Sequence, residues 1–170
     1  MSEPFLPRLL GISGSIFLSG FAFSASYYTL PAAALAPLPL RLKQWLVVYD
    51  LGKLISPPFS AISAACWFYS AWASHSPNST THTTQTTQLY AVAGALTLGT
   101  TVWTLLAMMP TNKALMRMAK TVKEEQGDEV ESLEWKSEAE RELWTWSWMN
   151  YVRAVIPLVG GWVGMYAALK

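Results

Sequence analysis

The stretch from Trp144 to Gly164, WTWSWMNYVRAVIPLVGGWVG, constrains this chain more than any other. It is apolar enough to enter a bilayer, yet it carries Asn150 and Arg153 near its start. On a helix of about 3.6 residues per turn, Trp146, Asn150, Arg153, Pro157, Gly160 and Gly164 share one face. A charge inside a membrane span costs at least about 2.5 kcal/mol, so it either faces a partner or cavity or snorkels to the headgroups. Both readings of Arg153 stay open at this point. The glycines beyond Pro157 read as a packing surface, because small residues let membrane helices approach closely.

The rest of the chain supplies the neighbours that such a helix requires. Hydrophobic residues make up 52% of the sequence and charged residues only 14%, where soluble domains carry roughly 25%. Four apolar stretches approach or exceed the roughly 20 residues that a bilayer crossing takes. They lie at about 5–28, 44–73, 89–109 and 148–169. The expected fold is therefore all-α: a single integral membrane domain over 1–170, built as a four-helix transmembrane bundle with a helical hairpin between spans three and four. Pro31, Pro37 and Pro39 predict an extended connection after span one, and Pro57 with Pro58 a kink in span two. Residues 74–88, SHSPNSTTHTTQTTQ, read as a polar loop carrying the sequon Asn78-Ser79-Thr80. Thr111 is placed as the N-cap of a helix in which Leu115, Met118 and Val122 share a face, and Gly127 as its stop. Ser137 and Glu140 have capping-box spacing for a last helix running unbroken into span four, with Trp135, Trp144, Trp146 and Trp148 at the headgroup belt.

Charge sets the expected orientation. Arg41, Lys43, Lys113, Arg117, Lys120, Lys123, Lys136 and Arg141 lie in the loops after spans one and three, whereas the loop between spans two and three has no Lys or Arg. The positive-inside rule makes the first and third loops cytosolic and both termini lumenal, in an endomembrane, with Asn78 on the glycosylated side. The net charge of +1 and the absence of a basic run exclude a nucleic-acid surface. Cys66 is the only cysteine, so no cysteine metal site is available, and His75 and His82 lack ligand company. The partner that composition does point to is the lipid bilayer. A homo-oligomer stays open through the small-residue ridges.

On this topology Tyr27, Tyr28, Asp50, Lys53, Asn112, Lys113, Asn150 and Arg153 all reach the cytosolic end of the bundle. That convergence predicts a pocket between the helices there. The bland alternatives are an interface ion pair for Asp50 and Lys53, and a helix cap for Asn112.

Two motifs then carry a resemblance. Pro110-Thr111-Asn112-Lys113-x-Leu115 and Trp146-x3-Asn150-x2-Arg153 resemble the anthrone oxygenase-like family of small four-span membrane proteins, several of which serve fungal aromatic polyketide pathways. The resemblance implies oxidation of an anthrone to an anthraquinone by molecular oxygen, with neither metal nor flavin as cofactor. It further implies that Arg153 and Asn150 hold the substrate oxygen as it becomes anionic, with Lys53 or Asn112 assisting. Asp50 is then the base, with Tyr27 or Tyr28 as second choice, and Trp146 and Tyr49 supply aromatic walls. The competing readings are another oxidoreductase acting on a related aromatic polyketide and a non-catalytic membrane scaffold or assembly protein.

Overall fold

The computed structural model describes residues 5–75, 81–124 and 133–170, which are helical almost throughout and contain no strand. Helix α1 (Phe5–Ser24) passes through a π-helical segment, Ala25–Thr29, into the short α2 (Leu30–Ala33). After α3 (Leu38–Ser74) come α4 (Thr81–Trp103), a second π-helical segment (Thr104–Met108), α5 (Met109–Glu124) and α6 (Leu133–Leu169). Helices α1 and α4 each pack on both α3 and α6 and so close a four-helix ring. Its neighbours are antiparallel. Phe17 meets Phe59 where Ser63 bonds the Gly11 carbonyl, and Thr100 bonds α6 at Arg153 while Trp103 bonds it at Met149.

Phe5–Ala33, Thr84–Val122 and Leu133–Leu169 are long and apolar enough to cross a membrane. Helix α3 is less apolar because Ser56, Ser60, Ser63, Ser70, Pro57 and Pro58 interrupt its aliphatic residues. Those serines face inward and are buried. Large apolar side chains such as Leu6, Phe17, Tyr69, Trp72, Leu106, Val155 and Trp162 point outward instead, as lipid contact requires.

The prolines interrupt the chain less than their sequence positions suggest. Only residues 34–37 leave the helix after span one, and Pro110 lies inside a continuous helix, so Thr111 is buried there and caps nothing. The reason is shared. A proline ring clashes with the carbonyl four residues back, and a π turn widens the backbone at that point. The carbonyls concerned, those of Tyr27 for Pro31 and Leu106 for Pro110, both lie in the π segments. Pro157 is handled differently: it cannot donate to the Arg153 carbonyl, and the Thr100 hydroxyl donates to it instead at 3.1 Å.

Three further expectations are corrected. The polar stretch 74–88 is helical from Thr81 onward, while Asn78 lies outside the described residues, as does Gly127. Ser137 caps no helix; it sits within α6 and donates to the Glu134 carbonyl at 2.8 Å, while Glu140 instead pairs with Arg41 of α3 at 2.7 Å. Trp144 and Trp148 are exposed as a belt requires, whereas Trp146 turns inward at 3% exposure and Trp135 packs against the core. The passage of α6 into span four is unbroken.

Two packed layers bracket the bundle. In one, the Trp67 ring fills the centre between Gly11 and Gly164, stacks on Tyr90 and donates to the Ser15 hydroxyl at 3.1 Å. In the other, Leu115, Met118 and Val122 of α5 share a buried face and pack with Leu42, Trp45, Leu143 and Trp146. A cavity lies between these layers.

Candidate functional site

The cavity measures about 310 Å³, within the range of about 300–1,000 Å³ usual for small-molecule sites. Every long helix contributes to its wall, and so do both π segments, through Ala25 and Thr29 on one side and Thr104, Leu105 and Met108 on the other. The turns that accommodate Pro31 and Pro110 thus also shape the cavity. Its lining is largely apolar, with a few polar groups placed at fixed points.

Asn150 is 1% exposed and fully committed. Its Nδ2 donates to the Ala22 carbonyl at 2.6 Å and to the Ser26 hydroxyl at 3.1 Å, and its Oδ1 accepts from Arg153 at 3.3 Å. Ser26 in turn donates to the Ser147 carbonyl at 3.1 Å. Asn150 therefore clamps α1 to α6 and presents its oxygen to the guanidinium. Arg153 lines the cavity and donates through its other terminal nitrogen to the Ser56 hydroxyl at 2.6 Å. Among the described residues no carboxylate pairs with it. A guanidinium held inside a bundle by neutral oxygens alone keeps its full positive charge uncompensated, which favours an anion beside it. Snorkelling does not describe this side chain, because its head is bonded across to α3.

Asn112 is 1% exposed and accepts the Trp146 indole N–H at 2.9 Å; both line the cavity. Tyr49 lines it as well, stacked on Trp45 at 5.3 Å between centroids. Lys53 also lines it, with its ammonium 2.7 Å from Asp50 and above the Tyr49 ring. The Asp50 carboxylate is exposed beyond the wall. Tyr27 and Tyr28 are 53% and 64% exposed; they join an outward aromatic cluster with Phe23 and do not reach the cavity. The structure therefore brings together Arg153, Asn150, Asn112, Trp146, Tyr49 and Lys53, holds Asp50 one residue outside, and separates the tyrosine pair. Among the described residues no three His, Cys, Asp or Glu side chains converge.

Sequence reasoning passed over Ser26, Ser56 and Thr100, which orient Asn150, Arg153 and the Arg153 backbone. Serine and threonine in an apolar span read equally well as small packing residues. Ser56 carried one available signal, its position directly before Pro57 at the level of Lys53.

A helical bundle with three stretches long and apolar enough to cross a membrane, around a largely apolar cavity with a guanidinium in its wall that no described carboxylate pairs with, defines a helical membrane protein with a pocket of small-molecule size. The chain belongs to the anthrone oxygenase family, whose profile matches residues 45–163. It is 27% identical to the anthrone oxygenase encC of Aspergillus fumigatus, over 96% of this chain and 93% of that one. It is 31% identical to an anthrone oxygenase of Claviceps purpurea, over 92% and 85% respectively. Identity to a noranthrone monooxygenase of Aspergillus flavus is also 31%, over 91% of this chain and 69% of that one. No solved structure matches the chain.

Proposed function

We propose that this protein is an oxygenase that converts an anthrone to the corresponding anthraquinone with O2, without a cofactor, in the biosynthesis of an aromatic polyketide. The observation that carries the reading is Arg153, a guanidinium in the wall of an apolar cavity with only Ser56 and Asn150 as partners.

The chemistry needs little more. An anthrone carries an acidic methylene at C10, because loss of its proton delocalises the charge onto the C9 oxygen as an aromatic oxyanion. Donors already aimed at that oxygen stabilise the anion and cost no reorganisation when it forms. The anion gives one electron to O2, and the resulting radical and superoxide combine at C10 to form a hydroperoxide after protonation. Loss of water from it leaves the C10 carbonyl. One oxygen atom enters the quinone and the other leaves as water, so the electrons balance without a further reductant.

In this reading Arg153 is the principal oxyanion donor, and Asn150 holds it in place through an accepted hydrogen bond. Asp50 is the proposed base. It is the only acidic residue between positions 4 and 123, and it sits next to the wall beside Lys53. To remove a proton it must exchange its bond to Lys53 for one to substrate, which leaves the Lys53 ammonium as a second cation at the mouth. Tyr49 and Trp146 flank the rings. The positive-inside pattern supports placing both termini in the lumen and the α5–α6 connection in the cytosol, in an endomembrane, so that substrate enters from the cytosolic side.

The test supplies an anthrone under 18O2 to membranes containing the chain, with empty-vector membranes correcting for air oxidation. Quinone carrying one labelled oxygen, formed above background and undiminished by chelation, is expected. Background-level quinone, or activity abolished by chelator, contradicts the reading.

A further inference from the structure

Asn112 carries information about which anthrone fits. Its Oδ1 accepts from the Trp146 indole, which can only donate, so the bond fixes the carboxamide with its oxygen toward α6. The amide NH2 is then left without a partner among the described residues. The side chain is 1% exposed yet lines the cavity, and its nitrogen is not among the buried groups sealed away from open space. A donor facing a largely apolar cavity favours a ligand that brings an acceptor, because the described walls supply it none. Position matters as much as chemistry. Trp146 precedes Arg153 by about two helical turns, or roughly 10 Å along α6. The cavity thus has a cationic donor at one end and a neutral donor toward the other, with Leu105 and Met108 contributing apolar wall.

We propose that Asn112 is a specificity residue that donates to an uncharged acceptor oxygen, hydroxyl or methoxy, on a terminal ring remote from the oxygen held by Arg153. The preferred substrates are tricyclic aromatics bearing such an oxygen, and plain anthrone is a poorer ligand. This inference rests on the reading of the cavity as an anthrone site.

The test is equilibrium binding to the detergent-solubilised full chain, using anthraquinones, which O2 does not oxidise further. The probes are a quinone with methoxy on a terminal ring and its ethyl counterpart of the same shape. Wild type is expected to bind the methoxy compound about tenfold more tightly, the discrimination one hydrogen bond gives. Asn112→Asp keeps an acceptor for the indole and so protects folding, while Asn112→Leu removes all polarity; both are expected to lose the preference. Equal affinities in wild type, or a preference kept in both variants, overturns the proposal. Oxidation of unsubstituted anthrone by the same wild-type preparation is read alongside. Preference without turnover overturns the proposed reaction alone, turnover without preference overturns the role of Asn112 alone, and absence of both overturns both.

Discussion

Arg153 reaches its place because three neighbours give it something to bond. Ser56 comes from α3, Asn150 from one turn earlier on α6, and Thr100 from α4 takes the carbonyl that Pro157 leaves free. A hydrogen bond to a charged group contributes about 1.5–3 kcal/mol. Ser56→Ala is therefore expected to lower kcat/KM for anthrone at least roughly tenfold, with Ser56→Thr restoring most of it; a wild-type rate in the alanine variant would show that Ser56 does not position the guanidinium. Asp50→Asn removes the proposed base while leaving the fold untouched, since the Asp50–Lys53 pair is exposed. Quinone formation is expected to fall by about 10²-fold or more, and full activity in this variant would remove Asp50 from the mechanism. Asn150 and Arg153 were legible in the sequence because their spacing is local: three residues on a helix place them on one face. Ser56 and Ser26 were not, because what makes them matter is a partner on another helix, 97 and 124 positions away respectively.

At the scale of elements, long helices with small-residue faces were readable from apolar length and spacing, and the continuity of α6 followed from the lack of any stop signal. The ends of helices were misread at Pro31 and Pro110, whereas Pro37 does stand at a break, as the N-cap of α3. Pro31 and Pro110 read as breaks because the sequence does not disclose that the preceding turn widens into a π segment. Which small residues do the packing was also only partly visible. A Cβ on Gly164 would collide with the Trp67 ring, whereas one on Gly20 would have nothing within 4 Å. Overpacking of this kind costs typically about 1–3 kcal/mol. Gly164→Ala is expected to lower the thermal unfolding temperature of the detergent-solubilised protein by several degrees, and Gly20→Ala to leave it unchanged. Equal behaviour of the two variants would remove Trp67 as the centre of the bundle.

For the whole molecule, charge distribution and apolar length were enough to anticipate a helical membrane domain with its polar residues gathered at one end. They did not reveal the second buried layer, in which α5 folds its apolar face onto Trp45 and Leu143. Those apolar faces flank the stretch from Glu124 to Glu142, which holds nine of the eleven acidic residues and so reads as solvated. The proposed orientation makes its own prediction: expressed in a glycosylating endomembrane, the chain is expected to gain mass that an endoglycosidase removes and that Asn78→Gln abolishes. Glycan attached instead at a sequon engineered into the α5–α6 connection would reverse the topology. The central claim is that a cavity with one uncompensated guanidinium drives anthrone oxidation by holding the forming oxyanion. The most direct measurement is the rate of quinone formation by Arg153→Gln against wild type, at matched membrane abundance and after subtraction of air oxidation. The account predicts a loss of about 10²–10³-fold in kcat, the effect of removing one oxyanion donor, and a wild-type rate in Arg153→Gln would contradict it.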